Sequence, residues 1–156
     1  MVMKFVLLAF VVGVVQSAPS GDEVQSLPGW DGDLPSRQYS GYVNLSLNDG
    51  YDMSVHYYYI EAETDVERVV LWSNGGPSAS SMFGIMAELG PLVLNDDSLK
   101  TEAYNASGIP SLLRNEYAWT KFASVLIFDW APPVGFSYCD NDPQGDGLSC
   151  GVWNDT

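Results

Sequence analysis

Asn74, Gly75, Gly76 and Pro77 come directly after a short apolar run ending at Leu71 and Trp72, and before a run from Ser80 to Leu89 that carries Met82, Phe83, Ile85, Met86 and Leu89. The first run has the signature of a strand and the second of a helix. The residues between form a glycine-permitted turn whose backbone N–H groups sit at a helix entrance. N–H groups so placed can stabilise the oxyanion of an acyl-transfer reaction. Two glycines suit that task, because any side chain would obstruct a substrate carbonyl. The same residues also make an ordinary strand-to-helix turn, which favours Asn and Gly.

Glu88 falls in the last turn of the expected helix, where a carboxylate faces the negative end of the macrodipole at a cost of about 0.3 to 1 kcal/mol. Two roles fit such a group. It is either a solvated surface residue or a carboxyl kept protonated to donate a hydrogen bond, its pKa raised by that same gradient.

Other patterns imitate sites. Gly135, Phe136, Ser137 and Tyr138 begin like a G-x-S-x-G nucleophile elbow, but Cys139 stands at the fifth position and a Pro/Gly/Asp loop follows where a helix is required, so Ser137 is not expected to be a nucleophile. Asp140, Asp142 and Gly145 resemble the start of a calcium loop without the closing Glu, so no metal site is expected. The single histidine, His56, lies in a Tyr-rich strand, with no Ser expected beside it and no Asp behind it. No complete Ser-His-Asp triad is assembled from these residues.

The elements that would hold the turn follow from periodicity. Tyr39 to Leu47 and Met53 to Glu61 flank Asn48, Asp49 and Gly50, a β-hairpin pattern. Arg68 to Trp72 and Val125 to Phe128 are short apolar runs suited to buried strands. Gly90 and Pro91 stop the helix. Asn95 to Arg114 is a polar surface excursion with room for a short helical turn. The order is therefore hairpin, buried strand, helix, buried strand, an α/β arrangement with fewer βα units than a doubly wound sheet normally has. In α/β-hydrolases one oxyanion donor comes from the glycine-rich loop after the third strand, ahead of the first helix.

Targeting signals bound the compartment. Lys4, the apolar run Phe5 to Val15 and the small residues to Ala18 have the form of a secretory signal peptide cut after Ser17 or Ala18, and the run is shorter than the roughly 20 residues a membrane span needs. Residues 1–18 are thus expected to be the signal and 19–156 the folded part. Three glycosylation sequons fit that route: Asn44 with Ser46, Asn105 with Ser107, and Asn154 with Thr156. In an oxidising compartment Cys139 and Cys150 are expected to form a local disulfide across a loop with little apolar material. The formal net charge of −14, from 6 basic and 20 acidic residues, would repel nucleic acid and anionic membrane surfaces. At 46% hydrophobic residues the chain nevertheless has the material for a core.

Leu71-Trp72-Ser73-Asn74-Gly75-Gly76-Pro77 resembles the serine carboxypeptidase family, secreted α/β-hydrolases that remove the carboxy-terminal residue of peptides. Ser40-Gly41-Tyr42-Val43, Glu88-Leu89-Gly90-Pro91, Asn115 to Lys121 with Trp119, and Val134-Gly135-Phe136-Ser137-Tyr138 agree in order and spacing, and Trp153 to Thr156 is similar to the opening of the family's next helix. The resemblance implies a partial α/β-hydrolase fold: the amino-terminal hairpin, the buried strands and the first helix, with the sheet incomplete. The family's nucleophile elbow, Gly-Glu-Ser-Tyr-Ala-Gly, follows the last of these segments, and its acid and base come later still. The chain thus corresponds to roughly the first third of such an enzyme.

By the same resemblance Gly76 supplies one oxyanion-hole N–H. Asn74, the Gly75 N–H and Glu88 grip the substrate's terminal carboxylate with Trp72 in support, and Phe83 and Ala87 line the leaving-residue pocket. The implied substrate is a peptide or protein with a free carboxy terminus. No cofactor is implied, and the location would be the secretory route, extracellular or vacuolar/lysosomal. Acyl transfer by a relative of these enzymes and a non-catalytic secreted fragment are the competing functions. Where the family has Gly-Cys after the proline this chain has Ser78-Ala79, so the disulfide that usually anchors the loop is excluded. Pro133 stands where the family often has Gly.

Overall fold

The computed structural model describes residues 19–46, 52–64, 67–76 and 78–139. The expected signal peptide, the Asn48–Gly50 turn, Cys150, the Asp140/Asp142/Gly145 loop and Asn154 lie outside the described residues. In chain order the strands are β1 (Gln38–Ser46), β2 (Asp52–Ile60), β3 (Val69–Trp72), β4 (Leu92–Val93), β5 (Leu113–Arg114), β6 (Ser124–Phe128) and β7 (Tyr138–Cys139). The helices are α1 (Met82–Gly84), continued by a π-helical turn (Ile85–Leu89), and α2 (Glu102–Ser107).

The main sheet has the order β1-β2-β6-β3, with β7 added to β2. β1 and β2 form the expected antiparallel hairpin, with Ser40 opposite Tyr58 and Tyr42 opposite His56. β6 lies antiparallel to β2, with Ile127 opposite Tyr58, and parallel to β3, with Ile127 opposite Trp72. Parallel neighbours end on the same side of a sheet, so the exits of β3 and β6 emerge together. β4 and β5, an antiparallel pair, and β7 have two residues each, too few for an alternation to register in the sequence.

One face of the sheet carries the core. Tyr58, Ile60, Val125 and Ile127 pack against Ile85 and Leu89 from the helical segment, flanked by Trp72, Met82, Met86 and Trp119. Burying such an aliphatic side chain contributes about 1.5 to 3 kcal/mol. Side chains alternate along a strand, so Val69 and Leu71 point to the opposite face, where they are 58% and 65% exposed. This corrects the expectation of a fully buried strand at Arg68–Trp72. An apolar run is compatible with two covered faces, but only the α1 face of β3 is covered among the described residues.

The helical segment is also wider than its sequence suggests. Ser80 Oγ accepts from the Met82 N–H at 3.2 Å and opens it, as a Ser near a helix start should. It closes with the Gly90 N–H donating to Ile85 O at 3.1 Å, an i→i−5 bond. Gly90 is extended rather than left-handed, and its glycine is required because a Cβ would collide with the Ile85 carbonyl. Asn115 Nδ2 donates to Glu88 O at 3.0 Å and Gly90 O at 2.9 Å, which satisfies the last carbonyls. The polar excursion holds α2, capped by the Thr101 hydroxyl at its start and by left-handed Gly108 at its end. No helix among the described residues is long and apolar enough to cross a membrane.

Candidate active-site turn

Trp72 ends β3 on the core side, its ring edge-on to Trp119 at 5.5 Å between centroids. Its indole N–H donates to Asn74 Oδ1 at 2.7 Å. With the oxygen so occupied, the Asn74 NH2 group is the part of the side chain left to donate, and it has no partner among the described residues. The Asn74 backbone N–H donates to Ser81 Oγ at 3.3 Å, which folds the turn back along the helical segment. Gly84 then lies against the pair: a Cβ there would stand 2.6 Å from Asn74 Oδ1 and collide with Trp72 Nε1. Gly75 and Gly76 are exposed, and neither N–H has an acceptor among the described residues. Gly76 has φ of 156°. Ser78 has φ of 74°, left-handed and uncommon for a residue with a side chain.

The other end of the turn is held from β6. Asp129, the first residue past that strand, is completely buried. Its Oδ1 accepts from the Ser80 hydroxyl at 2.6 Å and the Ser81 N–H at 2.9 Å. Its Oδ2 accepts from the Phe136 N–H at 3.1 Å and faces His56 Nδ1, also at 3.1 Å. Burial pushes the carboxyl's pKa up, but the hydrogen bonds from His56, Ser80, Phe136 and Ser81 outweigh it and hold the group at about 2. A carboxylate accepts only, so His56 carries its proton on Nδ1. Its Nε2, 3.0 Å from Ser40 Oγ, is then free to accept from that hydroxyl in the neutral ring.

The structure therefore places both a serine beside His56 and an aspartate behind it, contrary to the expectation from the sequence. Ser40, His56 and Asp129 stand in the order of a proton relay. Ser40, however, lies within β1, and the imidazole is flanked edge-on by Tyr42 at 5.7 Å and Phe136 at 5.1 Å. What the arrangement joins is structural: β1, β2 and the loops after β3 and β6. Ser137 belongs to the same lattice, donating to Asp129 O at 2.6 Å and accepting from the His56 N–H at 2.8 Å.

The remaining candidates divide. Glu88 makes no direct hydrogen bond to Asn74, whose oxygen is taken by Trp72. Its carboxyl is exposed, one turn along from Gly84. Phe83 lines an apolar hollow of about 500 Å³ with Leu27, Met82, Met86, Ile109 and Phe136. Ala87 is exposed but is not among the residues lining it. Asn44 is exposed on β1, its side-chain oxygen accepting from Ser54 Oγ at 3.0 Å, and Asn105 is exposed on α2. Cys139 is disulfide-bonded. No cluster of metal-ligating side chains occurs among the described residues.

Asp129, His56, Ser80, Ser81 and Gly84 were not singled out as partners of the turn by sequence reasoning. The available signals were an acid immediately after an apolar strand and a histidine within a Tyr-rich one. Neither signal names its partner, 73 residues away in the case of His56 and Asp129.

With this geometry in place, comparison with known proteins gives the class. A family model described as serine carboxypeptidase matches residues 28–149. Serine carboxypeptidase-like 13 of Arabidopsis thaliana is 37% identical over 138 residues, 87% of this chain and 30% of that protein. Serine carboxypeptidase 1 of Hordeum vulgare is 39% identical over 127 residues, 80% of this chain and 24% of that protein. Serine carboxypeptidase-like 20 of Arabidopsis thaliana is 39% identical over 137 residues, 86% of this chain and 26% of that protein. The chain belongs to the serine carboxypeptidase family. It spans less than a third of the length of these relatives.

Proposed function

We propose that these residues form the oxyanion-hole and carboxylate-binding side of a serine-type carboxypeptidase site within a partial α/β-hydrolase sheet. The observation that carries this is the 2.7 Å hydrogen bond from Trp72 to Asn74, which occupies the amide oxygen and leaves the NH2 group to donate, on the same turn as the Gly75 and Gly76 N–H groups, which have no acceptor among the described residues. Three neutral donors on one turn suit an anionic oxygen. Gly76 would serve the oxyanion, and Asn74 and Gly75 the terminal carboxylate of a peptide. Glu88, exposed one turn beyond Gly84, would complete the set by family resemblance, and Phe83 and Ala87 would face the leaving residue. The exposed Val69 and Leu71 support an α/β-hydrolase sheet with a second layer on that face. The exposed sequons at Asn44 and Asn105, with the disulfide at Cys139, support a secretory route. The test is whether a blocked dipeptide with a free carboxylate binds at Gly75 and Gly76 while its carboxamide does not.

A further inference from the structure

We propose that Asp129 is the positioning residue of the Asn74–Gly76 turn, holding Ser80 and Ser81 and, through Ser81, the backbone of Asn74. The role rests on the carboxylate-binding function proposed for that turn. The connection is continuous. Asp129 Oδ1 receives the Ser80 hydroxyl and the Ser81 N–H, and Ser81 Oγ receives the Asn74 N–H. The carboxylate divides its oxygens by destination: Oδ1 serves the helix entrance, while Oδ2 is held by His56 from β2 and by the Phe136 N–H from the β6 exit. Asp129 is completely buried, so water does not compete for these bonds.

The surroundings are closely fitted to this group. Gly135 has φ of 58°, and a Cβ on it would collide with the Asp129 carboxyl and stand 2.7 Å from Ser80 Oγ. The exit loop is thus packed onto the carboxylate at a distance only glycine permits. The turn, with Ser78 and Ala79 after its proline, also has no cysteine to pin it. The parallel pairing of β3 and β6 brings both exits to one end of the sheet, where a single carboxylate can tie them together.

Backbone order parameters from ¹⁵N relaxation test this. In the parent chain Asn74, Gly75 and Gly76 should be close to the rigid value of about 0.85. Asp129→Ala should lower all three to below about 0.6, leaving Val125 and Ile127 unchanged. Asp129→Asn keeps an acceptor for Ser80 and Ser81 and should restore most of the order, which a general loss of stability would not. If the Ala variant does not fold, Ser80→Ala, which removes one of the two donors, should lower the same three values by less. A turn equally ordered in every folded variant, or loosening spread evenly over β6, would overturn the proposal. In a parallel titration with an N-acetyl dipeptide, Asp129→Ala should weaken binding at least about tenfold through lost preorganisation. If the parent chain does not bind the peptide, the carboxylate function fails, while the order parameters still decide whether Asp129 positions the turn.

Discussion

The indole N–H of Trp72 lies 2.7 Å from the side-chain oxygen of Asn74, two residues further along the chain, and Gly84 of α1 lies against both groups. The strand end, the turn and the helical segment are thus held in one contact, and its tightness depends on the absence of a side chain at position 84.

Gly84→Ala should destabilise the chain. Ala is the better helix former by about 1 kcal/mol, but its methyl would meet Asn74 Oδ1 and Trp72 Nε1, and overpacking of this kind costs about 1 to 3 kcal/mol. Urea denaturation should show a lower midpoint. A raised midpoint would mean that the pair yields easily and that its geometry is not fixed by the helix.

Residues two apart on extended chain point the same way, so the Trp72–Asn74 contact was available from the sequence as a geometric possibility. The hairpin was legible because Tyr and Val recur along both arms and a turn cluster separates them. The exposure of Leu71 was not, since an apolar run does not state how many of its faces are covered. Nor was the Asp129 lattice: it joins Ser40, His56, Ser80, Ser81, Asp129 and Phe136, residues distant along the chain, and polar residue types alone do not encode which groups meet.

Acid stability should report the Asp129 lattice. Its pKa is about 2 in the folded chain against an ordinary 3.8. A depressed carboxyl stabilises the fold fully above the unfolded value, and that stability is lost as pH falls from about 4 to about 2. The loss amounts to about 2 kcal/mol. The ionisable group facing the carboxylate is His56. Denaturation between pH 2 and pH 5 should show less acid dependence in Asp129→Asn than in the parent; equal slopes would assign the effect to other acids.

Ser78 occupies a left-handed conformation, with φ of 74°. For a residue with a Cβ that conformation costs roughly 1 to 2 kcal/mol, and the entropy lost by glycine offsets about 0.5 to 1 of it. Ser78→Gly should therefore raise stability by up to about 1.5 kcal/mol in thermal unfolding. A fall in stability would mean that the serine side chain makes a compensating contact.

The Ser40–His56–Asp129 relay should be silent as a nucleophile. Ser40 lies within a paired strand, and the imidazole is walled by two rings. A serine-reactive phosphonate should leave the chain unlabelled by intact-mass analysis. Labelling at Ser40 would make the lattice a catalytic site, and labelling at Ser80, Ser81 or Ser137 would place a nucleophile where hydrogen bonding is otherwise assigned.

The most direct measurement is a titration of the ¹⁵N-labelled chain with an N-acetyl dipeptide bearing a free carboxylate and, separately, with its carboxamide. The acid should shift the Gly75 and Gly76 backbone resonances and the Asn74 side-chain NH2, and the amide should not. Equal shifts from acid and amide, or shifts elsewhere with Asn74, Gly75 and Gly76 unmoved, would contradict a carboxylate-binding turn.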